Sequence, residues 1–234
     1  MEPSAALTLA AIEATKQAKQ LAISSLGKFI KEKVVDEFRS RRELAFFSEL
    51  TDQIVRESIS GIETAALDKV LSNYLNDPGK AELLFESYRR VWMSASNDLG
   101  PRIIAILTCR LLGKRSGTEY EERMFLASER LGDRDLREFA NAVREGTIRN
   151  EDPNTLFPMA AAKEVVDVIK NRDELLIYSG GEFDLPPAMR RLEYYQIVNL
   201  YPSTGWGGAT NLTATVPRGL IEFAELIDRA TGPS

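Results

Sequence analysis

The chain has 234 residues, 30 of them basic and 35 acidic, for a net charge of −5. Such a balance favours solubility and gives no general attraction to nucleic acid or to an anionic membrane. Histidine is absent and Cys109 is the lone cysteine, which removes imidazole acid–base chemistry, Ser-His-Asp and Cys-His nucleophiles, Cys/His zinc sites and any intramolecular disulfide.

The chain opens with an alanine-rich segment in which Leu7, Ala11, Ala14, Ala18, Leu21 and Ala22 recur at helical spacing, predicting a helix with a narrow face of small residues. Glu13, Lys16 and Lys19 interrupt it, and no window of the chain reaches the ~18 uncharged apolar residues of a membrane span. After Gly27, a longer helix is expected with Phe29, Ile30, Val34, Phe38, Phe47, Leu50 and Ile54 as its apolar face. Its middle carries Arg39, Arg41 and Arg42 beside Asp36, Glu37 and Glu43, the pattern of a solvated, self-paired face. Ile62, Ala66, Val70, Leu71 and Tyr74 mark the next helix, closed by the turn residues Asn76 to Gly79.

A further helix presents Leu84, Tyr88, Val91, Trp92 and Ala95. Beyond Gly100-Pro101, Ile103, Ile104, Ile106, Leu107 and Leu111 point all round a helix, which predicts the buried centre of a bundle. Cys109 on this helix reads as a small buried hydrophobe. Thr118 and Glu121 have the spacing of a capping box, followed by Met124, Phe125 and Leu131, then by a helix using Leu136, Phe139, Ala140 and Val143. The Glu119, Glu121 and Glu122 cluster is read as capping and surface charge rather than as a metal site.

The texture changes at Gly146–Pro158, with two prolines, a glycine and no helical period. Another helix is expected through Ala161, Val165, Val168, Ile169 and Leu176, then a turn at Tyr178–Phe183. Pro187 suits the first turn of a helix carrying Met189, Leu192 and Tyr195. Gln196–Ser203 and Thr210–Val216 read as a hairpin about a turn containing Trp206, and Leu220, Ile221, Phe223, Ala224 and Ile227 form a closing helix.

The stretches RRLEYYQIVNLYPS and TNLTATVPRGLIEFAELI resemble a winged-helix domain, in which a second helix runs into a two-stranded wing followed by a helix. With SLGKFIKEKVVDEFRSRRELAFFSELTDQI and GPRIIAILTCRLLGKRSGTEYEERMFLASERLGDRDLREFANAV, the chain resembles uncharacterised bacterial helical proteins with a C-terminal winged-helix-like domain. The resemblance implies a fold and brings no activity with it. The fold class expected is mainly α: a helical bundle over residues 1–146, a linker over 147–158, and a small winged-helix-like α+β domain over 159–234.

A winged helix raises DNA binding, for which Arg190, Arg191 and Arg218 are the candidate contacts. Yet from Ala160 to Ser234 seven basic residues face ten acidic ones, leaving a net −3, whereas phosphate neutralisation needs a basic footprint. Nucleic acid is thus disfavoured. The function expected is a non-enzymatic, cytoplasmic interaction or adaptor protein binding a protein partner or itself, with Trp206, Leu7, Ala11 and Ala14 as candidate contacts. A DNA-binding transcriptional regulator is the alternative. No catalytic, metal or cofactor residues are expected; LLGKRSGT lacks the order of a phosphate loop.

Overall fold

The computed structural model describes residues 41–57, 64–113, 117–150, 173–204 and 210–232. The described elements are α1 (Arg41–Glu57), α2 (Thr64–Asn76), α3 (Pro78–Met93), α4 (Leu99–Gly113), α5 (Glu119–Arg130) and α6 (Asp133–Asn150). They continue with β1 (Glu174–Gly181), a single 3-10 turn (Glu182–Asp184), α7 (Pro187–Tyr194), β2 (Asn199–Thr204), β3 (Thr210–Pro217) and α8 (Arg218–Thr231). The architecture is mainly helical, with a small antiparallel sheet near the C-terminus. No described helix is long and apolar enough to cross a membrane.

The chain divides into two compact units. One comprises α1, α2, α3 and α4 from Ile104 onward; the other comprises Ser94–Ile103 and the elements from Gly117 onward. In the first, Phe46, Phe47, Leu50 and Ile54 form the buried face of α1. Asp77 separates α2 from α3 by accepting from the free N–H groups of Gly79 (3.0 Å) and Lys80 (3.3 Å), the capping chemistry a helix start requires. Tyr88 and Val91 are buried on α3, whereas Trp92, expected on the apolar face, is 56% exposed, and Ala95 lies beyond the helix end. Along α4, Ile103 to Leu107, Cys109 and Leu112 are buried, so Leu112 takes the place expected for Leu111.

In the second unit, Thr118 and Glu121 form the reciprocal capping box that starts α5. Glu121 is therefore turned inward and buried. The Ser94–Leu99 turn is held by polar side chains: Ser96 Oγ accepts from Gly100 N (2.7 Å) and contacts Asp133, whose carboxylate accepts from Leu99 N (3.0 Å). Gly100 is required there, since a Cβ would stand 2.4 Å from the Ser128 carbonyl oxygen.

Helix α6 runs through Gly146 to Asn150, past the point where helical periodicity ends in the sequence. Its packing explains this. α6 crosses β1 so closely that a Cβ on Gly146 would lie 2.5 Å from the Leu176 carbonyl oxygen. Glycine costs ~1 kcal/mol of helix propensity, and here close approach to the sheet requires it. Leu176, expected in a helix, lies in β1 together with Tyr178–Gly181, expected as a turn. A short apolar run such as LLIY carries no period that separates strand from buried helix.

The strand order is β1-β3-β2, all antiparallel. β2 and β3 form the hairpin expected from sequence, with Asn199 opposite Thr215 and Thr204 opposite Thr210. β1 pairs along the other edge of β3 from Glu174↔Pro217 to Gly181↔Asn211, with a bulge between Leu176 and Tyr178. Ala188, Met189 and Leu192 of α7, Ile197, Val198, Ala214, Val216 and the inner face of α8 are buried. Phe139 of α6 and Phe223 of α8 meet with ring centroids 5.6 Å apart. The expected linker residues 151–158, the helix expected over Ala161–Ile169, and Leu7, Ala11, Ala14 and Trp206 lie outside the described residues.

Candidate functional site

The alternation of burial along α7 sets its surface. Ala188, Met189 and Leu192 face inward, which turns Pro187, Arg190, Arg191, Glu193 and Tyr194 outward at spacings of three and four. Pro187 starts the helix with its fixed φ and no wasted N–H. Gln196, in the left-handed region at φ 56°, redirects the chain toward β2, and its carbonyl accepts from Arg123 Nη1 (3.2 Å).

Each of the three arginines considered for DNA contact meets a carboxylate. Arg190 Nη2 lies 3.0 Å from Glu182 Oε1 on the 3-10 turn. Arg191 forms a two-pronged pair with Asp135 of α6, Nε to Oδ2 at 2.8 Å and Nη2 to Oδ1. This bond raises the guanidinium pKa further. Arg218 Nε lies 2.8 Å from Asp173 Oδ1, and its backbone N–H donates to the Asp173 carbonyl (3.1 Å). Arg190 and Arg191 share α7; Arg218 stands at the start of α8.

Two aromatic residues that sequence reading passed over are exposed in this unit. Phe183, in the 3-10 turn, is fully exposed at 102%. Tyr194, on the last turn of α7, is 81% exposed and meets Tyr195 edge-on at 5.1 Å. Arg190 connects them. It is four residues, ~6 Å of helix, from Tyr194, and its guanidinium reaches Glu182, the chain neighbour of Phe183. The signal was present in sequence: with Met189 and Leu192 inward, Tyr194 shares the outward face of Arg190 and Arg191.

The sheet carries a buried polar cluster. The Glu174 carboxylate accepts from Asn199 Nδ2 (2.8 Å), from Tyr201 Oη (3.1 and 3.2 Å) and from Thr215 Oγ1. Its donors come from β2 and β3 while Glu174 is in β1, so one carboxylate ties all three strands. It is a structural tie, with its lone pairs taken up by three side chains.

In the other unit, Trp92 Nε1 donates to Tyr88 Oη (2.8 Å), which donates to the buried Glu43 (3.0 Å). Burial first, and then the neighbouring Glu43 charge, push the Tyr88 pKa up to about 12 against the opposing Trp92 bond. Arg42 Nη1 reaches the Trp92 carbonyl (3.4 Å) near the C-terminal end of α3. Glu43 is thus an inward group here, not the surface partner expected for the arginine run. Among the described residues no group of three or more acidic or cysteine side chains is placed to hold a metal. Cys109 is buried and forms no disulfide.

The α7 surface thus carries exposed Tyr194 and two arginines held by acidic neighbours, with exposed Phe183 in the 3-10 turn that precedes it. No protein family, curated protein or solved structure matches the chain.

Proposed function

We propose that the chain is a non-enzymatic interaction protein whose C-terminal module is winged-helix-like and uses the α7 face to dock another protein. The order β1, α7, β2, β3, α8 and the sheet order β1-β3-β2 support the winged-helix reading. The observation that carries the functional reading is the state of Arg190 and Arg191, each against a carboxylate, on the helix that ends in exposed Tyr194 and follows exposed Phe183; Arg218 meets Asp173 at the far end of β1.

The strength of these ion pairs is not the deciding quantity. Exposed pairs are worth only ~0–1 kcal/mol, and a phosphate could displace them. What matters is where the phosphate would then sit. It would face Glu182, Asp135 and Asp173, and residues 160–234 already carry a net charge of −3. Protein docking carries no such penalty, and Tyr and Phe supply the rigid apolar area that interfaces concentrate.

The test compares partners captured from a native lysate by the full chain and by the Phe183→Ala/Tyr194→Ala variant. A protein held by the first and lost from the second, with circular dichroism unchanged, is expected; identical capture refutes the reading. The DNA-regulator reading predicts a gel shift at ~50 mM salt that weakens steeply toward 200 mM and on Arg190→Ala/Arg191→Ala.

A further inference from the structure

We infer that the outer face of α6 docks an acidic segment of a partner protein, whose carboxylates seat on Arg134 and Arg137. This surface is separate from α7 and goes beyond the docking reading above.

Burial sorts the charges of α6. Leu136, Phe139, Ala140 and Val143 face inward, which puts Arg134, Arg137, Asn141 and Arg144 outside at spacings of three, four and three. Helical geometry holds these four within an arc of about 80° and along about 15 Å of axis. A carboxylate four positions away could have neutralised each of the first two arginines. For Arg137 it is Asp133, which turns instead to the Ser94–Leu99 turn, accepting from Ser96 Oγ and from the Leu99 N–H (3.0 Å). For Arg134 it is Glu138, whose charge acts on Arg191 of α7, and arginine preceding glutamate is the weaker order for such a pair. Asp135 is also taken by Arg191. Arg134 and Arg137 are thus exposed and have no ion pair among the described residues.

The chain itself shows what such a position takes. At the end of the row, Arg144 holds the carboxylate of Asp228 from α8 at 2.7 Å and donates to Asn141 Oδ1 (3.2 Å). Arg134 and Arg137 repeat that position without an internal carboxylate. The occupant must be narrow, because Glu138, Glu145 and Asp228 border the row. A nucleic-acid duplex or an anionic membrane broad enough to cover the helix would overlay those three negative charges. A single acidic segment confined to the row meets guanidinium groups, which pair with carboxylates in a two-pronged geometry. Exposed pairs of this kind set partner choice and association rate more than bulk affinity.

The experiment titrates the full chain into labelled octa-glutamate, a glycine-serine octapeptide and a short DNA duplex at ~50 mM salt, read by fluorescence anisotropy. Saturable binding of octa-glutamate is expected, with none of the neutral peptide and weaker binding of the duplex. Arg134→Gln/Arg137→Gln should weaken octa-glutamate at least ~5-fold, the scale of two exposed charge pairs. Arg41→Gln/Arg56→Gln removes the same charge from exposed positions of α1 in the other unit and should leave the affinity unchanged. Circular dichroism should be unaltered in both variants. Absence of octa-glutamate binding would overturn the inference, and so would equal weakening by the two variants, which would place binding in the overall charge. Tighter binding of the duplex, lost in the α6 variant, would give the row to nucleic acid instead. The first two results leave the α7 reading standing, since that reading is decided by capture through Phe183 and Tyr194.

Discussion

Removing the Glu174 carboxylate should unzip the small sheet locally before it unfolds anything else. Glu174→Ala leaves three donors without their acceptor. Thr215 is fully buried and has no route to water; Asn199 and Tyr201 are half-buried and recover part of their hydration. A hydrogen bond to a charged group contributes roughly 1.5–3 kcal/mol, and an orphaned buried donor costs about 1–3 kcal/mol. Taking Thr215 in full and the other two at a fraction gives a loss of about 3 kcal/mol. Glu174→Gln keeps one acceptor oxygen but places an amide N–H₂ against remaining donors, so about half that loss is expected. Because the chain has two compact units, a single melting temperature would blend them. Hydrogen exchange resolved to peptides from β1 and β3 reads the affected region directly. Protection of 210–217 amides should fall by about 100-fold for Glu174→Ala and about 10-fold for Glu174→Gln, each 1.4 kcal/mol being a factor of ten. If both variants keep wild-type protection, the carboxylate does not tie the strands and the energetic reading of the cluster is wrong.

Gly146→Ala should destabilise the second unit by about 1–3 kcal/mol despite the better helix propensity of alanine, because the methyl meets a backbone carbonyl that cannot yield. Gly113→Ala, with nothing within 4 Å of its Cβ, should be free of that penalty; paired urea titrations read the contrast. Thr118→Ala should cost about 1 kcal/mol by removing the capping box at the start of α5, seen as faster exchange of the Glu121 amide. The first unit should lose stability above pH 10. Tyr88 holds its proton more tightly folded than unfolded, so its contribution is complete below pH 10 and is lost as pH rises toward about 12. Tryptophan-detected urea unfolding at pH 8 to 11 should show this fall, and Tyr88→Phe should abolish that portion of it.

The helices with a full apolar face were legible from sequence because burial and period coincide. Phe47, Leu50 and Ile54 of α1, Ile103, Ile104, Ile106 and Leu107 of α4, and Leu136, Phe139, Ala140 and Val143 of α6 are each buried as the spacing implied. The Thr118–Glu121 cap was readable because its chemistry is local. β1 was not. Its partner β3 lies some forty residues away, and nothing within LLIYSGG distinguishes a strand from a helix end followed by a turn. Gly146 misled for a related reason: a glycine that ends helices elsewhere is here a contact residue inside one. At the candidate site, sequence named the arginines but not their partners. Asp135 reaches Arg191 across 56 positions, a pairing that only the packing of α6 against α7 creates. Tyr194 was readable from its spacing to Arg190 and Arg191 but was passed over, and Phe183 sits in a turn whose residues carry no period from which exposure follows. Trp206, the aromatic residue that sequence did favour, lies outside the described residues.

Hydrogen exchange of the full chain, alone and with the protein it captures, tests the docking surface most directly. Slowed exchange should centre on peptides covering Glu182–Tyr195, with the helices of the other unit unchanged. Protection that leaves those peptides at their free rates while another surface slows would contradict the assignment of α7 as the binding face.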